Sequence, residues 1–152
     1  MKKKLIMIVC VLLMVVMATG CTTFNNFKNA FFSDSSTETV AADGTIRIGV
    51  YEPLSGEYRQ QGNEERIGIE LAHELYPEVA GKKVELIYAD NQSDMYAAET
   101  AIEELMAQNP SVILGSYGDT VTLVAGDAVK ANNVPAISIS STNPLITVNN
   151  PY

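Results

Sequence analysis

The sequence predicts an α/β domain over residues 45–152, built as a parallel sheet with flanking helices. Short runs of β-branched and aliphatic residues alternate there with longer stretches in which apolar residues recur at helical spacing. The connections between these runs are short. Alternation of this kind is typical of βαβ units, which place the strands in parallel and the helices on the faces of the sheet.

Four strands are predicted, and they cover residues 45–50, 83–89, 111–115 and 134–140. In the last of them, Ala136, Ile137 and Ile139 are side chains suited to a strand that is covered on both faces. A run of hydroxyl side chains follows, and Pro144 prevents a simple continuation of the strand. The chain is therefore expected to leave the sheet within this hydroxyl run.

Three helices are predicted, one after each of the first three strands, over residues 63–76, 90–110 and 119–133. Ser93 or Asp94 is placed to cap the second helix. Each helix has one predicted apolar face. The faces comprise Gly68, Ile67, Leu71, Ala72 and Leu75 in the first helix, Met95, Ala98, Ile102, Leu105 and Met106 in the second, and Val121, Val124, Ala125, Ala128 and Val129 in the third.

The first 20 residues have the layout of a secretory signal, with three lysines, an apolar run over residues 5–17 and then small residues. That run is shorter than the about 20 apolar residues that a membrane span needs. The ending Ala18-Thr19-Gly20-Cys21 resembles the lipobox of bacterial lipoproteins. The resemblance implies cleavage before Cys21 and lipid attachment to that cysteine. A plain secretory signal with an incidental cysteine is the alternative.

Cleavage at that point would leave Cys21 as the single cysteine, because Cys10 lies within the signal. It would also remove three of the ten basic residues and no acid, which leaves seven basic and eighteen acidic residues and a formal charge of −11. So negative a chain disfavours nucleic acid and anionic membranes as partners. Residues 21–44 are expected to be the lipidated cysteine and a flexible tether, whose four phenylalanines would either pack on the domain or dip into the lipid interface.

No group of residues in the sequence predicts catalysis, a cofactor or a metal. His73 is the single histidine and lies within a predicted helix. Neither a Gly-x-Gly-x-x-Gly nor a Gly-Lys-Ser/Thr phosphate loop follows a strand, and there is no Gly-x-Ser-x-Gly elbow. The glutamates of the first two helices, among them Glu65, follow helical spacing and are predicted to lie on solvated faces.

Ligands of parallel sheets bind beyond the carboxyl ends of the strands. The loops 51–62, 115–120 and 138–144 are therefore the candidate site. The turn at residues 53–56, "PLSG", suits a close approach of the backbone. In the second loop, Asp119 is expected either to cap the following helix or to contact a ligand.

These loops carry a family resemblance. A Leu-Ser-Gly turn with a later Gly, an Asp after the second strand, a Gly-opened loop after the third and the run "PAISISSTNP" after the fourth occur in this order. Together they resemble type 1 periplasmic binding proteins, in the branch that binds branched-chain amino acids for ABC transporters. The resemblance implies a two-lobed protein that closes on a small ligand and delivers it to a membrane permease. Residues 45–152 would then be an incomplete first lobe, as expected of a truncated fragment.

The resemblance also implies binding residues. Tyr117 and Asp119 would contact the ligand from the third loop, the backbone carbonyl of Ser140 would face an ammonium group, and Thr142 would offer its hydroxyl and amide. Gln61 would be a wall residue. The family usually has Ser or Thr where Asp119 stands, and an aspartate there is expected to repel a carboxylate and to favour a cation or an amide.

Two functional hypotheses follow. The first is a lipid-anchored, extracytoplasmic substrate-binding protein of an ABC importer, with an amino acid or amide as its ligand and a membrane permease as its partner. The second is an exported lipoprotein that uses the same lobe as a sensor or protein-contact module of the cell envelope. A lack of small-molecule effects would distinguish the second hypothesis from the first.

Overall fold

The computed structural model describes residues 44–152. The predicted signal peptide, the predicted lipid attachment at Cys21 and almost all of the predicted tether lie outside these residues. Within residues 44–152, none of the helices has the length and apolar character that crossing a membrane would require.

The described residues form a five-stranded sheet in the order β2-β3-β1-β4-β5. The strands are β1 (Ile46–Glu52), β2 (Glu78–Val79), β3 (Lys82–Asp90), β4 (Val112–Leu114) and β5 (Ala136–Ile137). β1, β3, β4 and β5 are parallel, as predicted, and only the two-residue β2 runs antiparallel, against the start of β3. The carboxyl ends of the four parallel strands consequently meet at one edge of the sheet.

Three helices follow the strands as predicted: α1 (Arg59–Leu75), α2 (Met95–Met106) and α3 (Asp119–Asn132). A 3-10 helix at Pro144–Thr147, which the sequence analysis did not predict, follows the hydroxyl run. The predicted cap of α2 is confirmed, because Asp94 Oδ1 accepts hydrogen bonds from the backbone amides of Tyr96 and Ala97, both at 2.9 Å.

The core lies between one face of the sheet and the helices α2 and α3. Alternate strand residues point into it, because successive side chains of a strand face opposite sides. Gly49 of β1 approaches Leu105 of α2 so closely that an added Cβ would lie 2.9 Å from a Leu105 methyl group. The buried apolar side chains of this core are Tyr51, Ile87, Ala89, Ala98, Ala101, Ile102, Leu105, Met106, Ile113, Val121, Ala125, Val129 and Val134.

α1 packs on the opposite face of the sheet, and its predicted apolar face is only partly directed toward that sheet. Gly68 and Ala72 line the space between helix and sheet, whereas Ile67, Leu71 and Leu75 are all more than half exposed. Contacts along the helix hold it: Gly62 packs on Pro53, Glu70 accepts a hydrogen bond from the hydroxyl of Tyr88 at 3.1 Å, and His73 Nε2 lies 3.1 Å from the carbonyl oxygen of Val84. Between α1 and the sheet lies an open apolar groove of about 520 Å³, which we call the α1 groove; its lining includes Ile48, Leu86, Leu114 and Ile139.

The predicted burial of the last strand on both faces is wrong. β5 pairs with β4 over only two residues, and Ile137 and Ile139 are exposed. Ile139 instead contributes to the wall of the α1 groove. Because β5 is the edge of the described sheet, each of these side chains has strand neighbours on one side only.

Truncation of two leucines tests which helix faces support the fold. Leu105→Ala removes a side chain that is 0% exposed, and we expect it to lower the free energy of unfolding by about 2–5 kcal/mol. Leu71→Ala truncates a side chain that is 55% exposed, and we expect a change within about 0.5 kcal/mol. Urea denaturation followed by circular dichroism measures both. Equal losses of unfolding free energy in the two variants would contradict this expectation, because the Leu71 side chain would then have to be buried against other residues.

Candidate functional site

Four loops enclose a cleft of about 700 Å³ at the carboxyl edge of the sheet. They follow β1, β3, β4 and β5, and α3 begins at the floor of the cleft. The lining residues are Glu57, Tyr58, Ser93, Asp94, Met95, Tyr117, Gly118, Asp119, Thr120, Val121, Ser140 and Thr142. The cleft therefore lies where a parallel sheet places its ligands.

The cleft brings together four of the five predicted ligand residues. Tyr117, Asp119, Ser140 and Thr142 all line it. Gln61 lies on α1 outside that lining, and its Oε1 atom is buried without a hydrogen-bond partner among the described residues. The ligand roles of all five remain predictions.

The loop after β3 was not among the predicted site loops, yet it contributes Ser93, Asp94 and Met95 to the cleft. Glu57 and Tyr58 also line the cleft; their loop was predicted to be part of the site, but these two residues were not. The position of β3 could have identified the loop that follows it. β3 was predicted to be parallel to its neighbours, so its carboxyl end had to lie at the same edge of the sheet as theirs. Asp94 was considered only as a helix cap.

Asp90, at the end of β3, holds the turn that follows β1. Its Oδ1 atom accepts hydrogen bonds from the amides of Leu54, Ser55 and Gln92, and its Oδ2 atom accepts one from the Ser55 hydroxyl at 2.7 Å. Partial burial alone would raise the pKa of Asp90, but these four donors hold that pKa below its ordinary value. The loops after β1 and β3 therefore form one unit.

The predicted close approach in the "PLSG" turn occurs at Gly56. Its φ angle is +81°, and a Cβ atom there would overlap the carbonyl oxygen of Gln92. A side chain at this position is excluded by both conformation and space. The turn is consequently pressed against the loop after β3.

A cluster of hydroxyl groups joins the loops after β4 and β5. Ser141 Oγ lies 2.7 Å from Thr122 Oγ1, and it also donates to the carbonyl oxygen of Ser116 at 3.1 Å. Thr122 Oγ1 donates in turn to the carbonyl oxygen of Gly118 at 2.8 Å. Ser141 thus serves the backbone, whereas Ser138 Oγ is buried with no partner among the described residues.

Asp119 does not cap α3, which corrects one of the two expectations for its side chain. Its Oδ1 atom accepts hydrogen bonds from the backbone amides of Thr142 at 2.8 Å and Asn143 at 3.2 Å. The N-cap position belongs to Gly118, which makes no side-chain bond. The carboxylate therefore ties the start of α3 to the loop after β5.

Two aromatic side chains contribute to the lining of the cleft. The rings of Tyr58 and Tyr117 have centroids 5.5 Å apart and planes inclined by 57°. A tilted pair of this kind is favourable, and it adds apolar surface to a lining with many polar side chains. Among the described residues, no three His, Cys, Asp or Glu side chains are arranged to hold a metal ion.

Glu52, the last residue of β1, is 0% exposed and lies behind the cleft. Its Oε2 atom accepts a hydrogen bond from the amide of Tyr117 at 3.0 Å. Its Oε1 atom and Oε2 of Glu65 are buried, and no donor within residues 44–152 reaches either atom. Burial and, to a lesser extent, the neighbouring Glu65 carboxyl raise the pKa of Glu52 to about 8.

Glu65 was predicted to lie on a solvated helix face, and that prediction is wrong. It lies against Glu52, and its Oε1 atom accepts a hydrogen bond from the hydroxyl of Ser140. One proton shared between the two carboxyl groups would satisfy both of their unpaired oxygens. The pair links α1, the end of β1 and the loop after β5.

The raised pKa of Glu52 predicts how stability depends on pH. The folded chain keeps the Glu52 proton up to about pH 8, whereas the ordinary value is 4.5. Between these values the folded state binds more protons than the unfolded state, so the free energy of unfolding falls as the pH rises. Glu52→Gln is neutral at every pH, and its amide can donate to Glu65. We expect it to flatten the fall and to stabilise the chain at about pH 8 by about 1–3 kcal/mol.

Denaturant titrations at a series of pH values measure this effect. Glu104→Gln is the matched control, because it makes the same exchange at an exposed position of α2. Identical slopes for Glu52→Gln and the parent chain would contradict the assignment of the shared proton.

Comparisons with known proteins agree with this geometry. The leucine-binding protein LivK of Thermotoga maritima has a similar structure, with a TM-score of 0.67 and 30% identity over 69% of this chain and 30% of its own. A solute-binding protein of an ABC transporter from Rhodopseudomonas palustris, solved with 3,4-dihydroxybenzoic acid, gives a TM-score of 0.67 and 27% identity over 72% of this chain and 31% of its own.

A curated relative is the Leu/Ile/Val-binding protein homolog 3 of Brucella melitensis, which is 26% identical over 110 residues, or 70% of this chain and 30% of the relative. The chain thus spans about 30% of the length of each of these proteins. The sequence profile of the periplasmic binding proteins matches residues 45–152, which include every residue of the cleft. The chain belongs to the periplasmic binding protein family.

Proposed function

We propose that residues 45–152 are the ligand-gripping part of a substrate-binding lipoprotein that serves an ABC importer of amino acids or related amides. The observation that carries this proposal is the convergence of four strand-end loops on one cleft of about 700 Å³. A cleft of this size accommodates a small organic molecule. The related proteins named above bind leucine or an aromatic acid, which supports the same class of ligand.

The proposed mechanism is binding and release without chemistry. The aromatic faces of Tyr58 and Tyr117 would pack on the ligand, and the polar groups of Asp119, Ser140 and Thr142 would orient it. The permease of the importer would receive the ligand. The lobe would be held at the extracytoplasmic face of the membrane by lipid on Cys21, which the lipobox-like ending of the signal supports.

Ligand binding in the cleft is tested by nuclear magnetic resonance titration of the isotope-labelled chain. Candidate compounds are leucine, isoleucine, valine, their carboxamides, polyamines and 3,4-dihydroxybenzoate. We expect at least one of them to shift the backbone amide signals of Tyr117, Gly118 and Thr142. Tyr117→Ala should weaken that binding by about tenfold, because an aromatic contact contributes about 0.5–1.5 kcal/mol.

Tyr76→Ala is the matched control for Tyr117→Ala. Tyr76 is 71% exposed and lines the α1 groove, so its removal leaves binding in the cleft unchanged. A loss of binding in Tyr76→Ala alone would place the ligand in the α1 groove. If no compound shifts the cleft signals, the sensor or protein-contact hypothesis replaces transport.

Lipid attachment is tested by replacing Cys21. In a bacterial host labelled with a palmitate analogue, we expect the parent chain to carry label and to sediment with membranes. Cys21→Ala should lose the label and leave the membrane fraction, because that residue carries the only thiol of the expected mature chain. Cys10→Ala is the control and should keep both properties. Label retained in Cys21→Ala would support the plain secretory signal instead.

A further inference from the structure

Several hydrogen-bond donors of the loops around the cleft are engaged by carboxylates of the protein itself. The backbone amides of Thr142 and Asn143 both donate to Asp119 Oδ1. The hydroxyl of Ser140 donates to Glu65. The amide of Tyr117 donates to Glu52. A ligand acceptor placed at any of these four donors would have to displace the existing bond or stay unpaired there, and an unpaired polar group is costly.

Two consecutive backbone amides that converge on one point form a ready site for an anion. In this cleft the point is occupied, because the Asp119 carboxylate supplies the anion. Asp119 is also the first residue of α3, so its negative charge lies where the helix start would otherwise attract an anion. The Asp119 carboxylate therefore opposes anion binding both at these two amides and at the start of α3.

The charged side chains that line the cleft are all acidic. Glu57, Asp94 and Asp119 contribute carboxyl groups, and the lining contains no lysine or arginine. Asp94 Oδ1 is engaged as the cap of α2. Asp119 Oδ2, by contrast, has no hydrogen-bond donor within residues 44–152, so it is a free acceptor in the cleft that Tyr58 and Tyr117 also line.

We propose that Asp119 determines specificity: the cleft takes a ligand that presents a cationic nitrogen group, such as an amine or amidine, and no carboxylate toward the start of α3. The cationic group would donate a hydrogen bond to Asp119 Oδ2, and the rings of Tyr58 and Tyr117 in the same lining would attract it further. A carboxylate at the same place would meet the Asp119 charge at short range with no basic side chain in the lining to offset it. This inference rests on the proposed function, and it narrows the ligands from amino acids and related amides to those that present a cation at this position.

Two matched series of compounds test the inference with the full chain. Leucinamide, leucine and 4-methylpentanoate share one side chain. Leucinamide is a cation, leucine carries one positive and one negative charge, and 4-methylpentanoate is an anion. Benzamidine, benzamide and benzoate form a corresponding aromatic series. Titrations followed at the amide signals of Tyr117, Gly118, Thr142 and Asn143 give a dissociation constant for each compound. We expect the cationic member of a series to bind at least about tenfold more tightly than the anionic member.

Variants of Asp119 separate charge from loop geometry. Asp119→Asn keeps an acceptor for Thr142 and Asn143 but removes the charge, so we expect the preference for the cation to shrink. Asp119→Ser frees both amides, so we expect leucine and benzoate to gain affinity by about tenfold or more. Asp127→Ser makes the same exchange at an exposed position of α3 and should leave the preference unchanged.

Equal or tighter binding of the anionic members to the parent chain would overturn the inference and leave the proposed function standing. An unchanged preference in Asp119→Ser would also overturn it. If no compound of either series shifts the cleft signals in any variant, both the inference and the proposed function fail.

Discussion

The arrangement of the cleft depends on the hydrogen bonds of one buried residue, Glu52. Its backbone carbonyl oxygen accepts hydrogen bonds from Leu54 and Asn91, at the starts of the loops after β1 and β3. Its side chain accepts a hydrogen bond from Tyr117 in the loop after β4. Through Glu65 it reaches Ser140 in the loop after β5. All four loops that form the cleft are thus connected through one residue at the end of the central strand.

A polar group placed so deeply is costly unless it is satisfied. Tyr51, the preceding residue, shows how far the end of β1 is removed from water. Burial raises the pKa of its phenol group, and the hydroxyl donates to the backbone carbonyl oxygens of Ala98 and Val121 in the packed helices. The alternation along β1 sends Tyr51 into the core and Glu52 to the opposite face. The last two residues of β1 therefore contact the core helices on one face of the sheet and the loops of the cleft on the other.

Much of the fold could be predicted from the sequence, because the strands and helices are long enough to show their periods. β1, β3 and all three helices were predicted within a few residues, and a cleft lies at the carboxyl edge of the sheet, where the candidate site was predicted. The exposure of Ile67, Leu71 and Leu75 on α1 could not be predicted, because hydrophobic periodicity identifies an apolar helix face but does not show whether other residues cover it. The two-residue β2 is too short to carry a pattern.

The fine structure of the cleft was less predictable for a different reason. Asp119 was expected to cap α3 or to contact a ligand, and Glu65 was expected to be solvated. Each is in fact engaged by a residue far along the chain, Thr142 and Ser140 respectively. Contacts between distant loops leave no local signal in a single sequence, whereas the cap of α2 acts two and three residues away, and Asp94 was one of its two predicted candidates.

Glu65 also belongs to a second surface, because it lines the α1 groove while it holds Ser140 at the cleft. The α1 groove and the cleft are therefore connected through one side chain. A substitution of Glu65 would change the lining of the groove and would also remove the hydrogen bond that holds Ser140 at the cleft.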